Sequence, residues 1–244
     1  MDIPQFFLSD LQQLNIRLDD EQLTQFMRYA KLLMASNERM NLTSITERNE
    51  IFKKHFIDSL ALVNYGIFTD GSQAPNINII DVGSGAGFPG IPLKIAFPWL
   101  DLSLLDARRK RIIFLDYLIG ALELTDIRVI HGRAEDLARP DTFRDSFGFC
   151  VSRAVAPLSV LAEYCLPFVK PGGLFIAYKA GGDVASELAK AEKTVTLLGG
   201  CLDKQVDYIL PNSDIARTLI GIRKTGPTPV KYPRRAGMAT KRAR

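Results

Sequence analysis

Gly83, Gly85 and Gly87 stand two residues apart, after a β-branched run from Ile77 to Val82 and just before Pro89. Asp81 is the one charge in that run, which reads as a strand buried on both faces, as in a parallel sheet. Proline suits the first turn of a helix, and the apolar segment 91–97 continues it. The order strand, glycine turn, helix puts the turn at the carboxyl end of a strand, where open parallel sheets bind ligands. Glycines there let the backbone approach a ligand closely. A dinucleotide fingerprint needs its third glycine at position 88, where this chain has Phe88. A phosphate loop needs Gly-Lys-Ser/Thr, which does not follow.

The pattern Asp81-x-Gly83-x-Gly85-x-Gly87 resembles the first motif of class I S-adenosylmethionine-dependent methyltransferases. That cofactor has no phosphate, so the loop need not form a deep anion nest. Amides of the helix starting at Pro89 can face its carboxylate, and its cationic sulfonium tolerates Asp81. A glycine-rich turn in some other α/β protein is the alternative reading.

Around this centre the chain alternates strand and helix. Strands are expected at 101–105, 127–130, 147–151 and 174–177, with a late pair near 206–209 and 218–222. Helices are expected at 107–124, 157–168 and 186–198, and Pro171-Gly172-Gly173 reads as a turn. This order implies a doubly wound, mostly parallel sheet with an antiparallel edge hairpin. Residues 1 to about 65 read as helices instead. Leu23, Phe26, Met27, Ala30, Leu33 and Met34 recur at helical spacing after Asp19 and Asp20. Segment 41–46 is a break, and a further helix runs through 50–60. Glycine and proline between Tyr65 and Pro75 mark a boundary. The expected fold is therefore α/β, of the class I methyltransferase type, with an N-terminal helical extension. Its parts are a 1–70 extension, a 71–226 cofactor domain and a 227–244 basic tail.

Several strand ends carry candidate chemistry. Asp106 can accept hydrogen bonds from both ribose hydroxyls of an adenosine, or cap the helix behind it. Arg108-Arg109-Lys110-Arg111 opposes the dipole of that helix. It reads as a contact for RNA phosphates, or as a solvated face. Ala134 and Glu135 can flank an adenine ring, or cap a helix. Arg153 can hold a cofactor carboxylate or a phosphate bidentately, or pair with Asp81 or Glu135. Lys179 is a positioning candidate of the same type, and no residue stands out as a catalyst. His55 and Asp58, three apart, form a proton relay or a local hydrogen-bonded pair. Lys231, Tyr232, Arg234 and Arg235 combine cations with a stacking ring, as an RNA grip or a solubilising tail.

Charge supports a polyanionic partner. From Ile215 onward there are nine Lys or Arg and no acid, whereas the rest of the chain carries 22 basic against 27 acidic residues. Cys150, Cys165 and Cys201 are widely spaced with no CxxC, which argues against a disulfide framework or a zinc site and fits a reducing cytosol. Only two histidines, His55 and His131, argue against a multi-histidine metal site. The N-terminus has no basic region, and no apolar stretch reaches membrane-spanning length.

Over nearly its whole length the chain resembles the ribosomal RNA small subunit methyltransferase G family, also called glucose-inhibited division protein B. The matching segments are 41–46, Lys54–Leu60, Asp81–Gly90, Arg133–Glu135, Ser152–Ala154 and Lys231–Arg234. The tail after Gly237 departs from the family's usual proline-containing basic end. The resemblance implies methylation of N7 of one guanine in 16S rRNA. It also implies cofactor contacts at Gly83, Phe88, Ala134, Glu135 and Arg153. Partners expected are 16S rRNA or the small subunit, with no DNA or membrane, and a cytoplasmic monomer. A ribosome-assembly factor on the same fold and a methyltransferase for a non-RNA substrate are the alternatives.

What is missing agrees with N7. Exocyclic-amine methyltransferases carry an (Asn/Asp/Ser)-Pro-Pro-(Tyr/Phe) loop after strand four, where this chain has Ser152-Arg153-Ala154-Val155. Carbon-5 chemistry needs a cysteine nucleophile, and Cys150 is expected inside its strand.

Overall fold

The computed structural model describes residues 3–67, 77–153, 156–235 and 237–241, with residues 240 and 241 described by backbone alone. Asn76, Ala154, Arg242, Arg244 and the expected boundary at residue 70 lie outside the described residues.

The apolar spacing of the N-terminal part yields α1 (Gln5–Gln13) and α2 (Asp20–Met40). Asp19 caps α2, accepting from the Gln22 amide at 2.8 Å while the Gln22 side chain accepts from the Asp19 amide at 2.9 Å. This reciprocal box satisfies two helix-end donors. A third helix, α3, runs continuously through Arg48–Glu50, Ile51–Ile57, Asp58–Leu60 and Ala61–Tyr65. Its central seven residues form wide π turns, a form the spacing did not foreshadow. Such turns are rare and concentrate at functional sites.

Then come β1 (Ile77–Val82), α4 (Gly90–Ala96), β2 (Leu100–Asp106), α5 (Arg109–Ala121), β3 (Ile127–His131) and α6 (Ala134–Leu137). They are followed by β4 (Phe147–Ser152), α7 (Leu158–Cys165), β5 (Val169–Lys179), α8 (Val184–Leu197), β6 (Gly200–Ile209), β7 (Ala216–Lys224) and α9 (Met238–Lys241). The strands form one sheet in the order β3-β2-β1-β4-β5-β7-β6. Pairs among β1 to β5 are parallel, and β7 is antiparallel to both β5 and β6. The strand order reverses between β1 and β4, the switch point where ligands bind in such sheets.

Two boundaries moved for identifiable reasons. The helix expected from Ala107 starts at Arg109, because Asp106 Oδ1 accepts from the Arg108 amide at 2.8 Å and holds the chain in a turn. Pro171-Gly172-Gly173 is not a turn before β5 but lies inside it. Pairing with β4 slips there, from Phe147–Val169 to Phe149–Leu174, so the segment forms a bulge.

Alternate side chains of the strands feed two cores. Ile79, Leu102, Leu104, Val151 and Ile176 face α1 to α5. Ile80, Leu105, Cys150, Phe175 and Ile220 face α7 and α8. The N-terminal helices therefore share one core with the sheet. Phe7, Phe26, Phe52 and Phe56 are fully buried there, with ring centroids 4.9–5.3 Å apart in several edge contacts. Each buried phenylalanine contributes about 1.5–3 kcal/mol, and each well-set ring pair about 0.5–1.5 kcal/mol more.

The basic tail is anchored rather than free over its described part. The Lys224 ammonium donates to Thr228 at 2.8 Å, Arg144 donates to the Tyr232 carbonyl at 2.6 Å, and Ala239 is buried. Among the described residues, no helix is long and apolar enough to cross a membrane, and no acid, histidine and cysteine cluster could hold a metal ion.

Candidate active site

The glycine turn is held by its neighbours on every side. Amides of Gly83 and Ser84 donate to the Leu105 carbonyl at 2.8 and 3.1 Å. Tyr29, from α2, donates its hydroxyl to the Ala86 carbonyl at 2.6 Å. Asp106 Oδ2 accepts from the Gly85 amide and from Arg111, each at 3.0 Å. One carboxylate thus links the end of β2, the turn and the first turn of α5. Asp106 is not the cap of α5, whose N-cap is Arg108 with no side-chain cap bond; it holds the turn before that helix and also walls the cleft. Arg111 belongs to the cluster 108–111, whereas Arg108 and Arg109 stay exposed and Lys110 donates to the Met40 carbonyl.

Asp81 behaves differently from expectation. Its Oδ2 accepts from the Gly90 amide at 2.9 Å, so the protein's own carboxylate occupies the start of α4. That amide does not face a cofactor carboxylate. Asp81 Oδ1 is buried with no hydrogen-bond partner among the described residues. Burial, the dominant cause, pushes its pKa up to about 7 against the opposing Gly90 hydrogen bond and the Arg153 charge. A buried carboxylate with an orphaned oxygen fits a ligand carrying positive charge, as S-adenosylmethionine does. When bound, that cofactor supplies the methyl group.

A cleft of about 280 Å³ opens across the carboxyl ends of β1 to β4, walled by Gly83, Asp106, Arg111, Ala134, Glu135 and Tyr164. These residues would hold the nucleoside half. Glu135 is 6% exposed, and burial together with the neighbouring Glu135 charge raises the pKa of the Tyr164 hydroxyl above its usual range. The Gly237 amide, in the returning tail, reaches Glu135 at 3.4 Å.

Phe88 is packed away from solvent. Its ring stacks on His55 with centroids 4.3 Å apart and on Tyr29 at 5.3 Å, and Arg153 lies 4.9 Å from its centre. Arg153 pairs with neither Asp81 nor Glu135. Its Nη1 donates to Asp58 Oδ2 at 3.0 Å and to the carbonyls of Lys54 and His55 at 3.2 and 3.4 Å. Its Nη2 donates to His55 Nδ1 at 3.0 Å. The π-turn segment of α3 is therefore the socket of Arg153. His55 and Asp58 are joined through this guanidinium rather than as a relay of their own. Asp58 Oδ1 accepts in turn from Arg217 Nε at 3.1 Å.

His55 is neutral in this setting. Burial first, then the Arg153 charge, lowers its pKa to about 3. With Nδ1 accepting from Arg153, Nε2 carries the proton and donates to the Thr43 hydroxyl at 2.8 Å. The sign of the linkage follows. The unfolded chain takes up a proton below about pH 6.5, while the folded histidine does not until about 3. Stability is therefore lost as pH falls from about 6.5. Asp81 acts oppositely, since its folded carboxyl keeps a proton that the unfolded chain releases near pH 4, and stability falls as pH rises towards 7. We expect His55→Gln to remove the first slope and expose the second. Urea midpoints should show the wild type losing about 1–2 kcal/mol relative to the variant between pH 7 and pH 5. Parallel pH profiles would contradict this.

Two candidates serve the fold. Arg234 grips the Glu163 carboxylate bidentately at 2.5–3.1 Å, and its amide donates there at 2.8 Å. Glu163 is 1% exposed, so this pair straps the tail to α7 and Arg234 is not free to grip RNA. Lys231 and Arg235 remain exposed. Lys179 donates to Glu187 at 2.7 Å and to the Ala156 carbonyl at 3.0 Å.

Known proteins decide the family. The profile of rRNA small subunit methyltransferase G matches residues 22–210. The chain belongs to that family. The protein of that name from Lachnoclostridium phytofermentans is 49% identical over 236 residues, covering 96% of this chain and 95% of that one. Its counterpart from Lactococcus lactis subsp. cremoris is 45% identical over 238 residues, 98% of each chain. Membership makes the chain a methyltransferase. Solved structures share the fold alone. A putative sarcosine dimethylglycine methyltransferase from Galdieria sulphuraria superposes with TM-score 0.55 at 13% identity, over 85% of this chain and 99% of that one. The Haloferax volcanii complex of Trm112 with a putative methyltransferase gives TM-score 0.56 at 13% identity, over 81% and 98%.

Tyr29, Tyr164 and Arg217 also shape the site, and no motif flagged them; Arg111 does so too. Only Arg111 had a signal, as the last member of a cationic run at a helix start.

Proposed function

We propose that this enzyme transfers the methyl group of S-adenosylmethionine to N7 of a guanine in 16S rRNA. Family membership carries the coarser part, an S-adenosylmethionine-dependent methyltransferase of small-subunit rRNA. The choice of N7 rests on one observation: the carboxyl end of β4 offers no free base or nucleophile among the described residues. His55 has both ring nitrogens engaged. Cys150 is fully buried, and burial pushes its thiol well above the usual range. Guanine N7 has a lone pair in the neutral base, so its attack requires no proton removal. The protein's part is then to hold two partners in line, which can lower a barrier by about 7–11 kcal/mol. On this reading the enzyme acts in the cytoplasm as a monomer, on free 16S rRNA or the small subunit, with no role for DNA or a membrane.

Incubation with methyl-labelled cofactor and 16S rRNA or small subunits tests it. Label is expected on guanine N7, located by mass spectrometry of nuclease fragments. Label on an amine or carbon, label that survives RNase in protein, or none at all would overturn the proposal.

A further inference from the structure

A second hollow lies on the other side of the β4 end. It has a volume of about 730 Å³ and sits at the carboxyl ends of β4 and β5 beside the start of β7. That volume is within the ordinary range for small-molecule sites. Arg153 lines it directly, while the neighbouring Ser152 lines the nucleoside cleft. The two hollows therefore meet at one residue junction.

Four cations line the second hollow, Arg153, Lys179, Lys190 and Arg217, against the carboxylates of Asp58, Asp183 and Glu187. All three carboxylates are committed. Asp58 takes Arg153 and Arg217. Glu187 takes Lys179 at 2.7 Å and the Leu158 amide at 2.6 Å. Asp183 caps α8, accepting from the Ser186 amide at 3.0 Å. Lys190 is exposed and makes no hydrogen bond or ion pair among the described residues. Arg217 gives Nε to Asp58 and Nη1 to the Ala216 carbonyl, while Nη2 has no partner among the described residues. The excess over the carboxylates is one positive charge, the complement of one phosphodiester. Tyr178 is fixed in the wall, its hydroxyl donating to the Ser59 carbonyl at 2.8 Å.

We propose that this hollow seats the target nucleotide of the RNA, turned out of its stack, with Lys190 and the free Arg217 donor on its phosphate. The inference rests on the rRNA reading above and adds where the nucleotide sits and what holds it. Enzymes that modify a base in a helix take it out of the stack into a pocket. Phosphate contacts then fix its register without reading sequence. Arg153 stands at the junction, with Nη1 and Nη2 engaged in the α3 socket and Nε without a hydrogen-bond partner among the described residues. It can meet the base edge from this side while N7 stays open towards the other cleft.

Lys190→Glu tests the seat, with Lys193→Glu as the control. Both residues are exposed on α8, but Lys193 does not line the hollow. Affinity for 16S rRNA would be measured by fluorescence anisotropy with S-adenosylhomocysteine present. KM and kcat for methyl transfer, and cofactor affinity by calorimetry, would be measured alongside. We expect Lys190→Glu to weaken RNA affinity and raise KM about tenfold. It should also make the salt dependence shallower by about one unit of slope, while cofactor affinity changes less than about twofold. Lys193→Glu should resemble the wild type. Equal effects of the two substitutions, or no effect of Lys190→Glu, would overturn the seat. A wild type that binds RNA but transfers no methyl group would instead overturn the rRNA methyltransferase reading, and the binding comparison would still judge the seat.

Discussion

Asp58→Ala is expected to cost about 3 kcal/mol of stability and to abolish methyl transfer. The carboxylate is 5% exposed and lies between Arg153 at 3.0 Å and Arg217 at 3.1 Å. Both guanidinium side chains are less than one fifth exposed. Removing the acid leaves two mostly buried cations facing each other, and breaking such a pair costs far more than the intact pair contributes. Arg153 would also lose the acid that fixes it in the α3 socket. Glu123→Ala is the matched control. Its pair with Arg28 spans 3.7 Å, with side chains 80% and 53% exposed. Surface pairs of that kind contribute about 0–1 kcal/mol. Urea unfolding of the two variants, with a methyl-transfer assay, checks the prediction. Equal, small losses would show that the clamp around Asp58 contributes little.

Gly87→Ala should be the second large effect, at about 3 kcal/mol or more. The residue has φ +102°, and a Cβ there would lie 2.7 Å from both the Tyr29 hydroxyl and Ile91 Cδ1. Backbone strain in such a region costs about 1–3 kcal/mol, and forcing an extra carbon into a packed site about as much again. Tyr29 would also be pushed off the Ala86 carbonyl that it holds. Gly85→Ala provides the contrast. Its φ is +62°, and a Cβ would meet nothing closer than 3.9 Å. The cost there should be about 1 kcal/mol, the left-handed penalty alone. Denaturation midpoints of the two variants decide the matter. A Gly85 variant as unstable as the Gly87 variant would place the crowding at the wrong glycine.

These two sites differ in how much of them the linear chain reveals. The glycine turn was legible because its physics is local. A buried strand, small residues and a helix start all fall within fifteen positions. The cap at Asp19, the alternation of strands and helices, and the edge hairpin were readable for the same reason. The clamp was not. Asp58 meets partners 95 and 159 positions away, and a pair so distant leaves no period or spacing behind. Arg153 was marked as important by its place after β4, but its partner could not be named. Arg234 was misread because cations beside an aromatic ring look alike whether they face RNA or a buried acid such as Glu163. The π turns in α3 were hidden as well, since their apolar spacing passes for that of an ordinary helix.

The contact between Asp58 and Arg217 bears on how the protein is made. The last member of that clamp sits on β7, well past the switch point of the sheet. The N-terminal helices are synthesised first, but their core includes sheet residues as late as Leu219, and the socket they provide stays half built until Arg217 arrives. Only when the final hairpin has cleared the exit tunnel and folded back can the acid take its second arginine. A nascent or prematurely terminated chain ending before β7 would thus leave Asp58 with one arginine instead of two.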